Sequence, residues 1–281
     1  NHPSQPAIFL ISSAHIPPFY LGGVRFIIAG IAPLLYCAFR YGIDKIIPKA
    51  EDSIIRGWIN LFFIGVLQTA CAMGFLNLAF GYINSALTAV LFFTNPFWVL
   101  ILAHFCHIDR LTLKRCLGLI LGITGVALCL NIDSKGNILG IVFALCGALS
   151  WALCTIGSKS ILATHPPFVI AGWQMLFGGI ILFLISTFST ESYPFSTLSA
   201  LGWFNFWRLL FPASVGSFSL WFLALQQGGV AQASSFLFLT PMFATILSMI
   251  FLAESLTIKF MLGYLLIFSA IYMINQHSKR A

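Results

Sequence analysis

Residues 17–30 read PPFYLGGVRFIIAG and residues 166–179 read PPFVIAGWQMLFGG. At a constant offset of 149, Pro17-Pro18-Phe19 meets Pro166-Pro167-Phe168, Gly23 meets Gly172, Gly30 meets Gly179 and Arg25 meets Gln174. Further along, an offset of 145 lays Leu78-Ala79 over Leu223-Ala224, Pro96 over Pro241, Asp109 over Glu254 and Gly118 over Gly263. It also lays Leu111-Thr112-x-Lys114 over Leu256-Thr257-x-Lys259. The change of four between the offsets is a shorter loop after the second helix of the second half. Chance matches of Gly, Pro and Leu would not keep their order over two long gap-free windows. The chain therefore reads as two related units, 1–132 and 136–276.

The composition says what surrounds those units. Of 281 residues, 59% are hydrophobic, 15% aromatic and 7% charged. A soluble domain carries about a quarter charged residues, so this chain has too little polar surface for a water-facing globule. Disorder needs low hydrophobicity and high charge and is excluded as well. The net charge of +7 would fit nucleic acid, but the cations flank apolar runs, as they do in membrane proteins. Seven cysteines are scattered in those runs without a C-x-x-C or a paired spacing, and read as small, reduced, apolar residues.

A membrane helix needs about 20 apolar residues. The 52 residues between Arg56 and Asp109 carry no Asp, Glu, Lys or Arg and hold two spans, turning at Gly81-Tyr82-Ile83-Asn84-Ser85. The 45 between Arg208 and Glu254 hold two more, turning at Gln226-Gln227-Gly228-Gly229. Single spans fit 116–132, 136–158, 166–189, 258–276 and, with Arg25 inside it, 17–39. Residues 1–14 are too short to cross alone. Pairing Asn1 with Ser150, when the sixth helix starts near Gly136, leaves about fourteen residues of the first helix absent. The expected fold is an all-α polytopic membrane protein of ten transmembrane helices, the first truncated. Recurrent alternating strands of a β-barrel are not seen.

Five crossings per unit invert the second unit relative to the first, the arrangement of many secondary transporters. With a cytoplasmic N-terminus, ten of the 14 Lys and Arg fall in inner segments and three (Lys135, Arg208, Lys259) in outer ones. That bias puts both termini in the cytoplasm.

Arg25 lies eight residues into its helix, about 12 Å from the outer end. A cation at that depth costs about 2.5–3.5 kcal/mol on insertion scales. Two roles fit it: meeting an anionic group such as a carboxylate, or snorkelling and tying helices through backbone carbonyls. Its repeat mate, Gln174, is neutral. Asn95-Pro96 and Thr240-Pro241 fall mid-helix, where proline frees a carbonyl. They read as solute-lining kinks or hinges, or as kinks repaired by neighbours. Trp151 and Trp173 fit stacking on a solute or plain packing. Asn77 and Gln68 are candidate cavity polars. Trp58, Trp203, Trp207 and Tyr193 suit the membrane interface. Gly140, Ala144, Ala148 and Ala152, and Gly118, Gly122 and Gly125, read as helix-packing ridges. Thr112 and Thr257 suit N-caps. His104 and His107 end a helix on the cytoplasmic side and give only a weak metal spacing.

No G-x-x-x-x-G-K-[ST], H-E-x-x-H or G-x-S-x-G occurs. All seven acids, at 44, 51, 52, 109, 133, 191 and 254, lie in loops or at helix ends. No catalytic residue, metal or cofactor is expected, and coupling through a buried carboxylate is not expected either.

Gly23-Val24-Arg25-Phe26 with Ala29-Gly30 resembles a pattern of the drug/metabolite transporter superfamily, in its EamA-type branch. So do Asn84-Ser85-Ala86-Leu87 running to Pro96, Asp109-Arg110-Leu111-Thr112 and the Gly118 to Gly125 helix. The second half repeats it with Trp151, Pro241 and Glu254-Ser255-Leu256-Thr257. The resemblance implies two inverted five-helix repeats around a central cavity, with the fifth and tenth helices at the edge. It also implies a secondary transporter, an exporter of amino acids or related metabolites in a bacterial plasma (inner) membrane, working by alternating access. The alternatives are a multidrug exporter and, from another class, an intramembrane enzyme or a non-transporting subunit. The expected solute-binding residues are Arg25, Asn95, Gln174, Thr240, Trp151 and Asn77, with Pro96 and Pro241 as hinges. The expected partners are a small-molecule solute and the lipid bilayer, with no nucleic acid; a homodimer stays open.

Overall fold

A computed structural model describes residues 15–48, 53–129, 137–189, 193–240, 243 and 258–276. The truncated first helix, Pro241 and Thr257 lie outside them. Every regular element among the described residues is helical. In chain order these are α1 (Pro18–Tyr41), α2 (Ile54–Gly65), α3 (Gly74–Phe80), α4 (Ser85–Phe92), α5 (Asn95–Phe105), α6 (Leu113–Cys129) and α7 (Ile138–Leu162). They continue with α8 (Pro167–Phe188), α9 (Ala200–Leu210), α10 (Ser217–Ser235) and α11 (Ile258–Asn275). Six stretches are long and apolar enough to cross a bilayer, and Met261–Asn275 is a shorter apolar helix.

Local chemistry sets where the helices begin and break. Proline stands in the first turn of α1 and of α8, where its missing N–H costs nothing. Ser53, Asn84 and Ser199 cap α2, α4 and α9 by accepting from Ile55, Leu87 and Gly202 N–H. Thr112 accepts from Arg115 N–H at 3.4 Å at the start of α6. The apolar stretch Ala200–Leu239 is 40 residues long, about 60 Å if straight and twice a hydrocarbon core of about 30 Å. Gly229, at φ 73°, interrupts it inside α10, at the turn read from the sequence; positive φ is a conformation glycine adopts freely.

The span around Pro96 is broken too. α4 ends at Phe92 and α5 starts at Asn95. Pro96 therefore sits in the first turn of a new helix rather than mid-helix. Phe236–Leu239, the matching stretch of the second half, tightens into a 3₁₀ turn. Two further irregularities also match at offset 145. A π-helix, Val66–Met73, follows α2, and another, Phe211–Gly216, follows α9.

The described chain forms two compact units, Asn1–Asn77 with Gly157–Gln227 and Leu78–Ile156 with Gly228–Ala281. Each unit draws on both halves of the sequence.

In the first unit α1 and α8 pack antiparallel along glycines. A Cβ on Gly30 would stand 2.7 Å from the Gly172 carbonyl oxygen and 2.8 Å from Leu176 N, and one on Gly179 would stand 2.7 Å from Ile27 N. A Cβ on Gly23 would meet Phe183 backbone at 2.7 Å, and one on Gly172 would meet Leu34. Adding 149 to one member of each contact and subtracting it from the other reproduces the set: Gly23–Phe183 becomes Gly172–Leu34, and Gly30–Leu176 becomes Gly179–Ile27. The contacts are thus exchanged by a local two-fold axis whose centre lies level with residues 28 and 29.

In the second unit α6 and α11 obey the same rule at offset 145. A Cβ on Gly118 would stand 3.0 Å from Ile274 and 3.1 Å from the Ala270 oxygen. One on Gly263 would stand 2.5 Å from Cys129 Sγ and 2.8 Å from the Gly125 oxygen. Leu119, Val126, Cys129, Ile267, Ile274 and Phe238 form the core of this unit. Ala144, Ala148 and Ala152 are fully buried on α7, and a Cβ on Gly140 would strike Tyr82 and Ile83. The small-residue ridge thus makes close helix contact, as read from the sequence.

Candidate functional site

Arg25 stands three to four residues, about 5 Å, from the centre of the α1–α8 exchange. It is two residues past Gly23 and so turned about 200° from the glycine line, away from α8. The side chain is half-buried. Its guanidinium carbon lies 4.0 Å from the centroid of the Phe26 ring, a cation–π distance. Phe26 meets Phe218 of α10 edge to face at 5.6 Å. The buried Nε of Arg25 has no hydrogen-bond partner among the described residues.

Gln174 is two residues past Gly172 and points away from α1 in the same sense. It is fully buried. Its Oε1 accepts from the Thr69 hydroxyl at 2.5 Å, and its Nε2 has no partner among the described residues. Gly65 and Gly178 let the α2 segment approach this closely: a Cβ on Gly65 would stand 2.8 Å from the Gln174 backbone oxygen. Arg25 and Gln174 therefore occupy equivalent positions on opposite flanks of the helix pair, and the structure does not set them side by side. Asn77 is half-buried, with Nδ2 3.5 Å from the Pro18 oxygen. Trp173 donates Nε1–H to the Ile46 oxygen at 2.7 Å and meets Trp58 edge to face at 4.6 Å.

In the second unit Asn95 is buried, donates Nδ2–H to the Ala148 oxygen at 3.0 Å, and leaves Oδ1 without a partner among the described residues. Trp151 is half-buried and meets Phe92 edge to face at 5.5 Å. Thr240 is exposed.

Three residues escaped the sequence reading. Thr69 is one, because its partner is 105 positions away. Arg115 is another. Counted above as a loop cation, it is 3% exposed, pairs with Asp109, and donates to the Arg110 oxygen at 2.7 Å and the Ile274 oxygen at 3.2 Å. It ties the start of α6 to the end of α11. The third, His165, is buried between α7 and α8 and pairs its Nδ1 with the Thr164 hydroxyl at 2.8 Å. Burial lowers its imidazole pKa below the ordinary 6.5, nearby Lys45 lowers it further, and backbone hydrogen bonds at Ile47 and Ile161 oppose this. Offset 149 puts His165 on Ile16, which is 1% exposed. A histidine opposite an isoleucine at matched repeat positions is the signal that could have found it.

Apolar helices of membrane-crossing length, paired through glycines and holding a cation inside one span, define a polytopic integral membrane protein. The chain belongs to the EamA-like transporter family, whose model matches residues 6–131 and again 138–276. It is a membrane transporter, and its family and named relatives set it among transporters rather than enzymes. It is 29% identical over 269 residues to the transporter YoaV of Bacillus subtilis, covering 92% of this chain and 87% of that one. It is 28% identical over 268 residues to the WAT1-related chloroplastic protein At3g02690 of Arabidopsis thaliana, where it spans 63% of the relative's length. The inner membrane transporter YedA of Escherichia coli K12 is 27% identical over 235 residues, covering 82% of this chain and 72% of that one. A solved crystal structure superposes with a TM-score of 0.78 at 16% identity, covering 98% of this chain and 94% of that one. It shares the fold.

Proposed function

We propose that this transporter moves small organic metabolites that carry a carboxylate, amino acids or related compounds, out of a bacterial cell across the plasma membrane by alternating access. The observation that carries the solute class is Arg25: a cation about 5 Å from the α1–α8 exchange centre, with Nε buried and unpartnered among the described residues. In a membrane interior such a group calls for an anion or a polar path. Asn95, Gln174, Thr240, Trp151 and Asn77 contribute polar and aromatic contacts along the solute path. Pro96 and Pro241 act as hinges, a reading supported by the break between α4 and α5.

Ten helices in two inverted repeats, with both termini cytoplasmic, complete the proposal. The double family match and the exchange of contacts at offsets 149 and 145 support the repeats. Amino acid export rests on the resemblance. The sequence expectation that the acids fall in loops and at helix ends, with Asp44 and Asp109 the two among the described residues, supports solute movement down its own gradient or coupling that uses no buried carboxylate.

Counterflow in proteoliposomes of the full-length protein tests this with radiolabelled amino acids, nucleosides and uncharged drugs. Exchange of amino acids above protein-free liposomes is expected. Exchange confined to uncharged drugs would replace the reading with multidrug export, and turnover without flux would replace it with an enzyme.

A further inference from the structure

The repeat places a hydroxyl and a longer polar side chain in two equivalent layers of the first unit. In one, Gln174 meets Thr69, which stands in the π-helix Val66–Met73. Offset 149 carries Gln174 to Arg25, and offset 145 carries Thr69 to Ser214, in the π-helix Phe211–Gly216. The first layer is closed by a direct hydrogen bond. The second is not: the buried Ser214 hydroxyl turns back to donate to the Leu209 oxygen at 2.9 Å, and Arg25 Nε stays unpartnered among the described residues.

We propose that Arg25 and Ser214 form the carboxylate subsite of the solute path. The guanidinium supplies the charge and Ser214 turns its hydroxyl from Leu209 to the bound anion. This deepens the transport reading above and rests on it for the identity of the anion as solute. Two observations hold the subsite together. Arg25 rests on Phe26, and Phe26 packs on Phe218, so the guanidinium belongs to the α10 side of α1. Ser214 precedes Phe218 by four residues and shares its helix face. A serine hydroxyl bonded to its own helix backbone is held locally and rotates about one bond to a new acceptor. A carboxylate between a guanidinium and a hydroxyl gains charge-assisted hydrogen bonds, the strong kind. The closed layer works differently: Gln174 Nε2 is unpartnered among the described residues just as Arg25 Nε is, but Gln174 has no charge and its amide oxygen already accepts from Thr69 of the neighbouring helix, so the layers differ in charge and in where the hydroxyl points.

The repeat also supplies the test. Arg25→Gln with Ser214→Thr copies the closed layer into the open one. Purified full-length protein is heated with and without benzoate, and separately with benzamide, which has the same shape and no charge. Benzoate should raise the wild-type melting temperature and benzamide should not. The double variant should melt at or above the wild type and lose the benzoate shift. Ser214→Ala, with Arg25 intact, should need about tenfold more benzoate for the same shift. A benzoate shift that survives in the double variant overturns the subsite, as does an equal response to benzamide in the wild type. No benzoate response in a protein that exchanges uncharged solutes overturns it while transport stands. A benzoate response lost in the double variant, in a protein without flux, leaves the subsite and removes the transport reading.

Discussion

Two helix pairs, α1 with α8 and α6 with α11, are built on one rule and spend it differently. Both run antiparallel, both meet through glycines, and both exchange their contacts at a fixed sequence offset. Around α1 and α8 the flanks carry Arg25, Gln174 and Thr69, polar groups held inside apolar helices. Between α6 and α11 the contact is Leu119, Val126, Cys129, Ile267 and Ile274, and the charged chemistry is pushed to the start of α6, where Arg115 binds Asp109 and the Ile274 carbonyl. Close packing of backbones is a scaffold in both. Among the described residues the first pair carries a charged side chain, Arg25, near its centre; at the centre of the second, Thr124 and Ser269 turn their hydroxyls to their own helix backbone at Ile120 and Leu265.

The largest effects should come from filling the shared scaffold. Gly30→Leu, Gly179→Leu, Gly118→Leu and Gly263→Leu should each cost more than ~3 kcal/mol, because the added atoms meet backbone or packed side chains. Size-exclusion profiles in detergent should show loss of the monodisperse species for members of both pairs. Gly157→Ala, where nothing lies within 4 Å, should change stability by less than about 1 kcal/mol. If Gly30→Leu folds as the parent does, the α1–α8 contact is wrong.

Next in size is the latch of the second pair. Arg115→Met should lower stability by about 2 kcal/mol, since the buried cation is charge-paired and bonded to two carbonyls. Asp109→Asn, at a partner 30% exposed, should cost about 1 kcal/mol or less. Thermal unfolding reads both, and the reverse order would show that the carboxylate rather than the cation holds the latch.

Thr69→Val sharpens the contrast inside the first unit. It strips the closed layer of its bond and leaves a buried amide, so a loss of about 1–2 kcal/mol is expected. Ser214→Ala removes only a bond to its own helix and should cost less than about 1 kcal/mol. Equal losses would mean that the two layers are not different in kind.

The smallest effect concerns pH. His165 has its pKa lowered by burial in the folded protein. Above its ordinary 6.5 both states are neutral and the full stability is present. As pH falls through that value the unfolded chain takes up the proton first, so stability drops. His165→Ile, which copies Ile16, should flatten the melting temperature between pH 7.5 and 5.5. A slope that persists unchanged would assign the titration to another group.

Glycine columns and proline breaks were legible in the sequence because they act through the backbone. Their positions alone state which helix faces come close, and the offsets 149 and 145 return in the contacts of Gly30 and Gly118. Gly229 marked a turn for the same reason. Side-chain partners were less legible. Thr69 and Gln174 meet through the rotation of two helices that no short spacing records. Arg115 read as a loop cation by charge count, yet one turn of helix carries it under the end of α11. Pro96 read as an interior kink because the apolar run continues through it; the backbone instead ends one helix at Phe92 and begins another at Asn95. The sequence suggested that Arg25 and Gln174 were equivalent, which their placement shares, but it did not reveal that equivalence under a two-fold sends them to opposite flanks.

On the proposed reading, recognition belongs to the flank of the first helix pair and scaffolding to the second. Proteoliposome flux of an amino acid and of an uncharged solute, compared for Arg25→Ala and Arg115→Met, tests it most directly. Arg25→Ala should cut amino acid flux about tenfold or more and leave the uncharged solute within about twofold. Arg115→Met should lower both by one common factor, set by the amount of folded protein. An equal loss of both solutes in Arg25→Ala would contradict the account and make that arginine part of the scaffold.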